Sequence, residues 1–198
     1  MSNGERIGVF GGTFDPVHKT HLDIARAARE QARLDRVLLV PAATPPHKKG
    51  DVHTNAEDRF AMVAAAVAGE PNFEASRIEI DREGPSYTID TLEALSSIHP
   101  GCLLFLIVGF DSLIDLPRWR RAEDIVARAR LLVAPRPDTA GNAQVPYADR
   151  CQLLRITPSA VSSTEIRKRL AAGEDLSPWL PAPVLRVIGE RGLYHAHY

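Results

Sequence analysis

The chain has 198 residues, of which 44% are hydrophobic and 25% charged, and this composition argues against a disordered chain. Its 24 Lys and Arg against 25 Asp and Glu give a formal net charge of -1, which argues against bulk binding of nucleic acid. No apolar run approaches the roughly 20 residues that span a bilayer, and no signal-peptide pattern precedes the first predicted strand. Because Cys102 and Cys151 form no disulfide or metal-ligand pattern, we expect a cytoplasmic, reduced protein. From the charge balance and the short apolar runs, we expect neither nucleic acid nor membrane as a partner.

An apolar run over residues 7–10 predicts a buried strand, and apolar residues at helical spacing from Leu22 to Ala32 predict a helix. Between them, residues 11–21 read Gly-Gly-Thr-Phe-Asp-Pro-Val-His-Lys-Thr-His, and the paired glycines allow backbone angles and a close approach that a Cβ would forbid. A helix start favours phosphate, and His18 and His21 share one side of its first turn. From this pattern alone, the stretch is either a phosphate site or a plain connection between a strand and a helix.

A second buried strand is predicted over residues 37–40, followed by a proline-stiffened loop, 42–50, that carries Lys48. This loop is either a solvated connection or a basic arm held over a phosphate. Apolar spacing predicts a helix over 55–69, and alternation predicts a strand over 76–80.

After a turn at residues 84–85, apolar spacing predicts a helix that runs to Ile98 and is capped by Asp90 or Thr88. Tyr87 and Thr88 stand at its beginning. The local sequence explains both residues as an ordinary helix entry.

Residues 103–108 are the strongest candidate for a central strand, and they lead into Gly109-Phe110-Asp111. Ligands of open parallel sheets bind beyond the carboxyl ends of the strands. Asp111 therefore either accepts a hydrogen bond from a ribose hydroxyl or an amine, or caps the following helix. Trp119, further on, is either a packed aromatic residue or a flat face for a ligand.

Two more strands are predicted over 131–134 and 153–156. Ser162 and Glu165 then form a capping-box pattern at the start of another helix. The same helix start offers the parts of a second phosphate site, namely Ser163, Thr164 and Arg167.

Gly173 ends that helix, and residues 183–191 predict a last amphipathic helix. Strands thus alternate with helices, and no repeat or boundary interrupts the chain. We predict one doubly wound, Rossmann-like α/β domain over residues 1–198, with a mostly parallel central sheet flanked by helices.

The run Gly-Gly-Thr-Phe-Asp-Pro followed by His-x-x-His resembles bacterial nicotinate-nucleotide adenylyltransferases, which belong to the nucleotidyltransferase superfamily with a His-x-Gly-His element for ATP. Thr20 stands where that family usually has Gly. Four further segments resemble the family in the same order: Pro-Pro-His-Lys (45–48), Ser-Tyr-Thr-x-Asp-Thr-Leu (86–92), Gly-x-Asp-Ser-Leu with Leu-Pro-x-Trp (109–119), and Ser-Ser-Thr-x-Ile-Arg (162–167).

The resemblance implies transfer of AMP from ATP to nicotinate mononucleotide, giving deamido-NAD and pyrophosphate in NAD biosynthesis. It implies that His18 and His21 are catalytic and that Tyr87, Thr88 and Trp119 bind nicotinate mononucleotide. The residues it implies for ATP and its phosphates are Gly11, Gly12, Thr13, Phe14, Thr20, Lys48, Gly109, Asp111, Ser162, Ser163, Thr164 and Arg167. Mg2+, held mainly by the ATP phosphates, is the expected cofactor, and homo-oligomer formation stays open.

Three other functions remain as alternatives. One is an adenylyltransferase of the same superfamily that acts on phosphopantetheine. A second is a metal-dependent phosphohydrolase that uses His18, His21, His47 and an aspartate. The third, motivated by Thr20, is a nucleotide-binding protein of weak activity.

Overall fold

The computed structural model describes residues 4–45, 52–136, 145–157 and 161–194. Its strands are β1 (Arg6–Gly12), β2 (Arg36–Pro41), β3 (Phe73–Ala75), β4 (Leu103–Gly109), β5 (Ala129–Ala134) and β6 (Cys151–Leu153). Its helices are α1 (Lys19–Gln31), α2 (Ala56–Val67), α3 (Thr88–Ile98), α4 (Phe110–Asp115), α5 (Ala122–Arg128), α6 (Ser163–Ala171) and α7 (Ala182–Arg191).

The strands form one six-stranded sheet in the order β3-β2-β1-β4-β5-β6, and every pairing between these strands is parallel. In the two central pairings, Val9 of β1 lies opposite Leu38 of β2 and Leu106 of β4. Parallel strands covered on both faces are apolar throughout, which explains why residues 37–40 and 103–108 were recognisable as strands. The predicted doubly wound architecture is confirmed.

An apolar layer lies on each face of the sheet. On one face, α1, α2, α6 and α7 pack through residues such as Leu22, Met62, Ile166 and Val184. On the other face, α3, α4 and α5 pack through Leu92, Leu113 and Ile125, among others. Because side chains alternate along a strand, Phe10 joins the first layer while Val9 joins the second.

Two strand predictions were wrong in position. Residues 76–80 form a turn after β3, because the Ser76 N–H makes the last bond to Leu39 and the Asp81 N–H then closes back on the Arg77 carbonyl. The segment 153–156 contributes only Leu153 to β6. The Gln31 side chain of α1 donates to the Arg155 carbonyl and accepts from the Arg155 N–H. These hydrogen bonds occupy the backbone groups of Arg155 that would otherwise pair with a neighbouring strand.

Within the described ranges, no helix has the length and apolar character needed to cross a bilayer.

A buried arginine fixes the loops at the carboxyl edge of the sheet. Arg59 of α2 is 1% exposed and donates to the carbonyls of Thr13 (2.9 Å), Thr54 (3.2 Å) and Ala43 (3.3 Å). These three carbonyls belong to the loop after β1, the segment before α2 and the loop after β2. One side chain therefore connects three loops that carry predicted site residues or lie beside them.

We predict that Arg59→Met lowers the free energy of unfolding by about 3 kcal/mol, because it leaves buried carbonyls without a donor. Arg186→Met is the matched control, since Arg186 is exposed on α7. Urea unfolding of both variants measures the difference. Equal losses in the two variants would show that Arg59 has no special role.

Candidate active site

The turn after β1 lies at the carboxyl edge of the sheet, beside the central strand β4. A Cβ built on Gly11 meets nothing within 4 Å, so the glycine leaves open space above the strand end. A Cβ on Gly12 would press on the ring of Phe14 at 3.0 Å. The positive φ of the turn belongs to Phe14 (51°) rather than to either glycine, so the expectation of special glycine angles there was wrong.

His18 and His21 lie together at the start of α1, as predicted. His18 is the N-cap and His21 is the third helical residue; their rings stack with centroids 3.7 Å apart. The His18 backbone N–H donates to Nδ1 of His21 at 3.2 Å, so the neutral His21 ring carries its proton on Nε2. Phe14 contacts the His21 ring edge-on at 5.1 Å and holds it in place.

Burial lowers the pKa of His18 to about 4. Its side chain is therefore neutral at pH 7, and its Nδ1 atom is buried without a hydrogen-bond partner among the described residues. In this state His18 can donate one hydrogen bond from a ring nitrogen, but it brings no positive charge of its own.

Asp15, inside the same turn, is a buried carboxylate that the sequence analysis did not single out. It is 2% exposed and accepts from the His53 N–H (2.7 Å), the Thr54 hydroxyl (2.7 Å) and the Tyr194 hydroxyl (2.6 Å). Burial and this carboxylate raise the pKa of Tyr194, which keeps its hydroxyl protonated as a donor. No local pattern announces this cluster, because Tyr194 is far from Asp15 in the chain.

The beginning of α6 packs against the same turn. The Ser163 hydroxyl donates to the Pro16 carbonyl at 3.0 Å, and Arg167 donates to the Asp15 carbonyl at 2.9 Å. Arg167 also donates to the hydroxyl of Thr164 at 3.3 Å. The second predicted phosphate segment is thus brought beside the first, and these side chains hold the turn that carries the histidines.

The caps differ from the predictions in detail. Ser162 caps α6 and accepts from the Glu165 N–H at 3.2 Å, whereas the Glu165 carboxylate accepts from Arg169 instead of completing a capping box. Tyr87 occupies the N-cap of α3, so neither Thr88 nor Asp90 caps that helix.

Of the two alternatives for Asp111, the helix cap is excluded, since Gly109 is the N-cap of α4. Asp111 is exposed in the first turn and pairs with Arg136. This ion pair lies at the carboxyl edge of β4.

A cavity of about 400 Å³ opens beside the turn and brings several predicted residues together. It extends from the end of β1 to the beginning of α3 and the segment after α4. The predicted residues that line it are Gly11, Gly12, Thr13, Tyr87, Thr88, Asp111 and Trp119. Glu79, Ser86, Thr91 and Arg120 also line it and were not predicted.

The remaining predicted residues lie outside this lining. His18, His21 and Thr20 are at the start of α1, Gly109 ends β4, and Ser162 to Arg167 begin α6. Lys48 and His47 lie outside the described residues. Trp119 packs against the apolar layer of α3 and α5 and also lines the cavity.

Among the residues that the structure describes, no three His, Cys, Asp or Glu side chains are grouped so that they could hold a metal ion. The rings of His18 and His21 stack with an angle of 28° between their planes. His47, which the phosphohydrolase alternative also uses, lies outside the described residues, so the acceptor assay below is what tests that alternative.

The low pKa of His18 predicts a pH dependence of stability. An unfolded chain binds a proton at His18 below about pH 6.5, whereas the folded protein does so only near pH 4, so stability falls as the pH decreases across this window. We expect His18 to account for about 3 kcal/mol of this loss. Urea unfolding from pH 7.5 to pH 4 will measure it.

In that experiment, His18→Gln removes this part of the pH dependence, whereas His99→Gln, at the opposite edge of the sheet, retains it. Parallel pH profiles for wild type and His18→Gln would contradict the assigned pKa.

Comparisons with known proteins agree with this geometry. The cytidylyltransferase-like family matches residues 9–169. A protein from Gloeobacter violaceus named probable nicotinate-nucleotide adenylyltransferase is 42% identical to this chain, and the alignment covers 96% of this chain and 97% of that protein. A protein of the same name from Thermus thermophilus is 43% identical, and the alignment covers 96% of this chain and 99% of that protein. The structure of a Plasmodium falciparum nicotinic acid mononucleotide adenylyltransferase complexed with NaAD shares the fold, with a TM-score of 0.80 at 19% identity over 96% of this chain and 97% of that one. This chain therefore belongs to the cytidylyltransferase-like family and, within it, to the nicotinate-nucleotide adenylyltransferases.

Proposed function

We propose that this protein transfers AMP from ATP to nicotinate mononucleotide and so forms nicotinate adenine dinucleotide and pyrophosphate. The observation that carries the proposal is the cavity, which joins the glycine turn of β1 to the beginning of α3 and to Trp119 in one opening. A nucleotide donor on the turn and a pyridine acceptor near Trp119 would then meet at the carboxyl edge of the sheet. The relatives named for this activity support the same assignment.

The reaction needs alignment and charge stabilisation more than it needs a base. The phosphate of nicotinate mononucleotide is already ionised, so it can attack the α-phosphorus of ATP directly, forming the new P–O bond while the bond to pyrophosphate breaks. No proton has to be removed from the nucleophile. The protein must therefore hold the phosphate of nicotinate mononucleotide in line with the α-phosphate of ATP. It must also stabilise the negative charge on the leaving pyrophosphate.

We assign that stabilisation to His18 and His21. Nε2 of His21 is the proton-bearing nitrogen of its neutral ring, because Nδ1 accepts from the backbone. The positive end of the α1 helix dipole adds to this stabilisation, whereas the N–H groups of Lys19 and His21 already donate to the carbonyls of Trp179 and His18. The open space above Gly11 leaves room for phosphate groups close to the backbone.

The other predicted ATP contacts remain proposals of the same kind. Thr20 is in the first turn of α1, where a hydroxyl can reach a phosphate. Thr164 is exposed at the start of α6, and Arg167 lies beside it. We propose Lys48 as an additional cation for the phosphates. We propose that Mg2+ would be held mainly by phosphate oxygens and water and would neutralise part of their charge.

We assign the acceptor to the α3 side of the cavity. Trp119 presents an indole face on which a flat, electron-poor pyridine ring can stack. The Tyr87 N–H already donates to the Pro85 carbonyl, so we assign the nicotinate carboxylate to the N–H groups that begin at Thr88, in the first turn of α3. Arg120, on the same wall, lies over the Tyr87 ring at 4.7 Å and pairs with Asp90 at 3.6 Å. We also propose that the protein is cytoplasmic, where the thiols of Cys102 and Cys151 would stay reduced. Both thiols are half-buried, and burial raises their pKa values.

An acceptor assay tests the function. Pyrophosphate release is measured with ATP and Mg2+ in the presence of nicotinate mononucleotide, of phosphopantetheine, or of no acceptor, and the dinucleotide is identified by mass spectrometry. We expect rapid release only with nicotinate mononucleotide. Release without an acceptor would indicate a hydrolase, and release with phosphopantetheine would indicate the other adenylyltransferase.

We predict that His21→Ala lowers the single-turnover rate by about 10²-fold, the scale expected when one donor to developing charge is removed. His99→Ala is the control, because His99 ends α3 at the opposite edge of the sheet and contacts Arg36. Rates within threefold of wild type for His21→Ala would reject its catalytic role.

The acceptor side yields a separate prediction. Nicotinate mononucleotide should have a higher kcat/KM than nicotinamide mononucleotide, because a carboxamide brings N–H donors against the donors of the site. Trp119→Ala should raise KM for the acceptor about tenfold and leave KM for ATP nearly unchanged, since only the pyridine loses its stacking partner. Trp119→Phe, which keeps a flat ring, should recover most of the affinity. An unaltered acceptor KM in Trp119→Ala would assign the residue to packing alone.

A further inference from the structure

A buried carboxylate lines the acceptor side of the cavity and has no role in the mechanism above. Glu79 lies in the turn after β3 and is only 7% exposed. The Thr91 hydroxyl donates to its Oε1 atom at 2.6 Å, and the Ser86 hydroxyl forms a second hydrogen bond with it. Burial raises the pKa of Glu79, and these two hydrogen bonds act in the opposite direction by stabilising the ionised form.

Ser86 transmits this interaction to the loop after β2. Its Oγ accepts from the N–H groups of Ala43 (2.9 Å) and Thr44 (3.2 Å), which leaves its own proton for Glu79. The Ser86 N–H also donates to the Thr44 carbonyl at 3.0 Å. Ser86 thereby ties the loop after β2 to the entry of α3, and Glu79 is hydrogen-bonded to this link.

Thr91 anchors the other side of the same entry. Thr91 lies one turn into α3, and the residue as a whole is 2% exposed. Its hydroxyl donates to Glu79 and accepts from Arg82 at 3.3 Å. Glu79 therefore holds Ser86 and Thr91, and the cavity-lining residues Tyr87 and Thr88 stand between them.

We propose that Glu79 is a positioning residue for the acceptor: through Ser86 and Thr91 it fixes the orientation of Tyr87 and Thr88 at the beginning of α3. This inference rests on the proposed function and deepens it. The apolar contacts of Ile89, Leu92 and Leu95 keep α3 on the sheet without Glu79. Loss of the carboxylate therefore shifts the entry of the helix and leaves its body in place.

The consequence is selective for the acceptor. Glu79 makes no hydrogen bond to the β1 turn, where the ATP phosphates are assigned; its partners are on α3 and before it. We expect Glu79→Gln to raise KM for nicotinate mononucleotide about tenfold, as the loss of hydrogen bonds to a charged group implies. We expect KM for ATP to stay within about twofold of wild type, because the hydrogen bonds that are lost do not involve the β1 turn to which the ATP phosphates are assigned.

Two matched pairs of variants test this. Glu83→Gln makes the same chemical change at an exposed position four residues along the same segment. Thr91→Val removes the hydroxyl donor with little change in shape, whereas Thr91→Ser keeps the donor and loses only a methyl group. For all four variants, KM is measured for each substrate with the other saturating, and binding of nicotinate mononucleotide alone is measured by calorimetry. Thermal unfolding reports stability.

The proposal is supported if Glu79→Gln and Thr91→Val weaken acceptor binding and raise acceptor KM, while Glu83→Gln and Thr91→Ser stay near wild type. It is overturned if Glu79→Gln raises both KM values equally, or if only the melting temperature changes. Should Glu79→Gln fail to fold, the Thr91 pair decides, and equal effects of Val and Ser would overturn the proposal. Wild-type enzyme that does not turn over nicotinate mononucleotide would defeat the proposed function itself, whereas an active wild type with unresponsive variants would defeat this inference alone.

Discussion

Two buried charges hold the turn that the site is built on. Asp15 and Arg59 are each almost completely buried, and a buried charge is tolerated only when hydrogen bonds replace the water it has lost. Asp15 draws in the segment before α2 and Tyr194 near the end of the described chain, while Arg59 takes carbonyls from three loops. Burial lowers the pKa of Arg59, and the neighbouring Asp15 acts against this shift. The cost of leaving either charge unpaired forces these loops into a single arrangement, and the histidine turn is part of it.

The residues at the beginning of α6 hold the β1 turn in place and are also proposed to bind phosphate. Ser163 and Arg167 donate to carbonyls of the β1 turn, so α6 stabilises the very backbone that presents His18 and His21. A ligand phosphate at this place would compete for donors or would share them. Kinetic losses on substitution of Arg167 therefore combine a lost ligand contact with a displaced turn, and separating the two effects requires stability measurements beside the kinetics.

The electrostatics of the phosphate side favour donors over fixed positive charge. His18 is neutral because burial disfavours the imidazolium, and His21 is oriented by a backbone N–H and an aromatic edge. In the proposed reaction, a donor that is already held in place costs little reorganisation when charge moves to the leaving pyrophosphate. Three carboxylates, those of Glu79, Asp111 and Asp115, line the cavity together with the guanidinium of Arg120.

Local periodicity was sufficient to predict β1, β2, β4 and most helices, because burial on both faces makes a central strand apolar from end to end and burial on one face gives a helix its apolar spacing. The same local order placed both histidines on the first turn of α1. Hydrogen-bond partners distant in sequence decided the rest: Gln31 ends β6, the chain turns away after Ser76, and Tyr194 reaches Asp15. Glu79 looked like one member of an alternating strand, yet its neighbours in space make it part of the cavity. Periodicity reports which side of an element faces the core, whereas the pairing of buried polar groups depends on which loops meet at the sheet edge, and only the tertiary structure determines that.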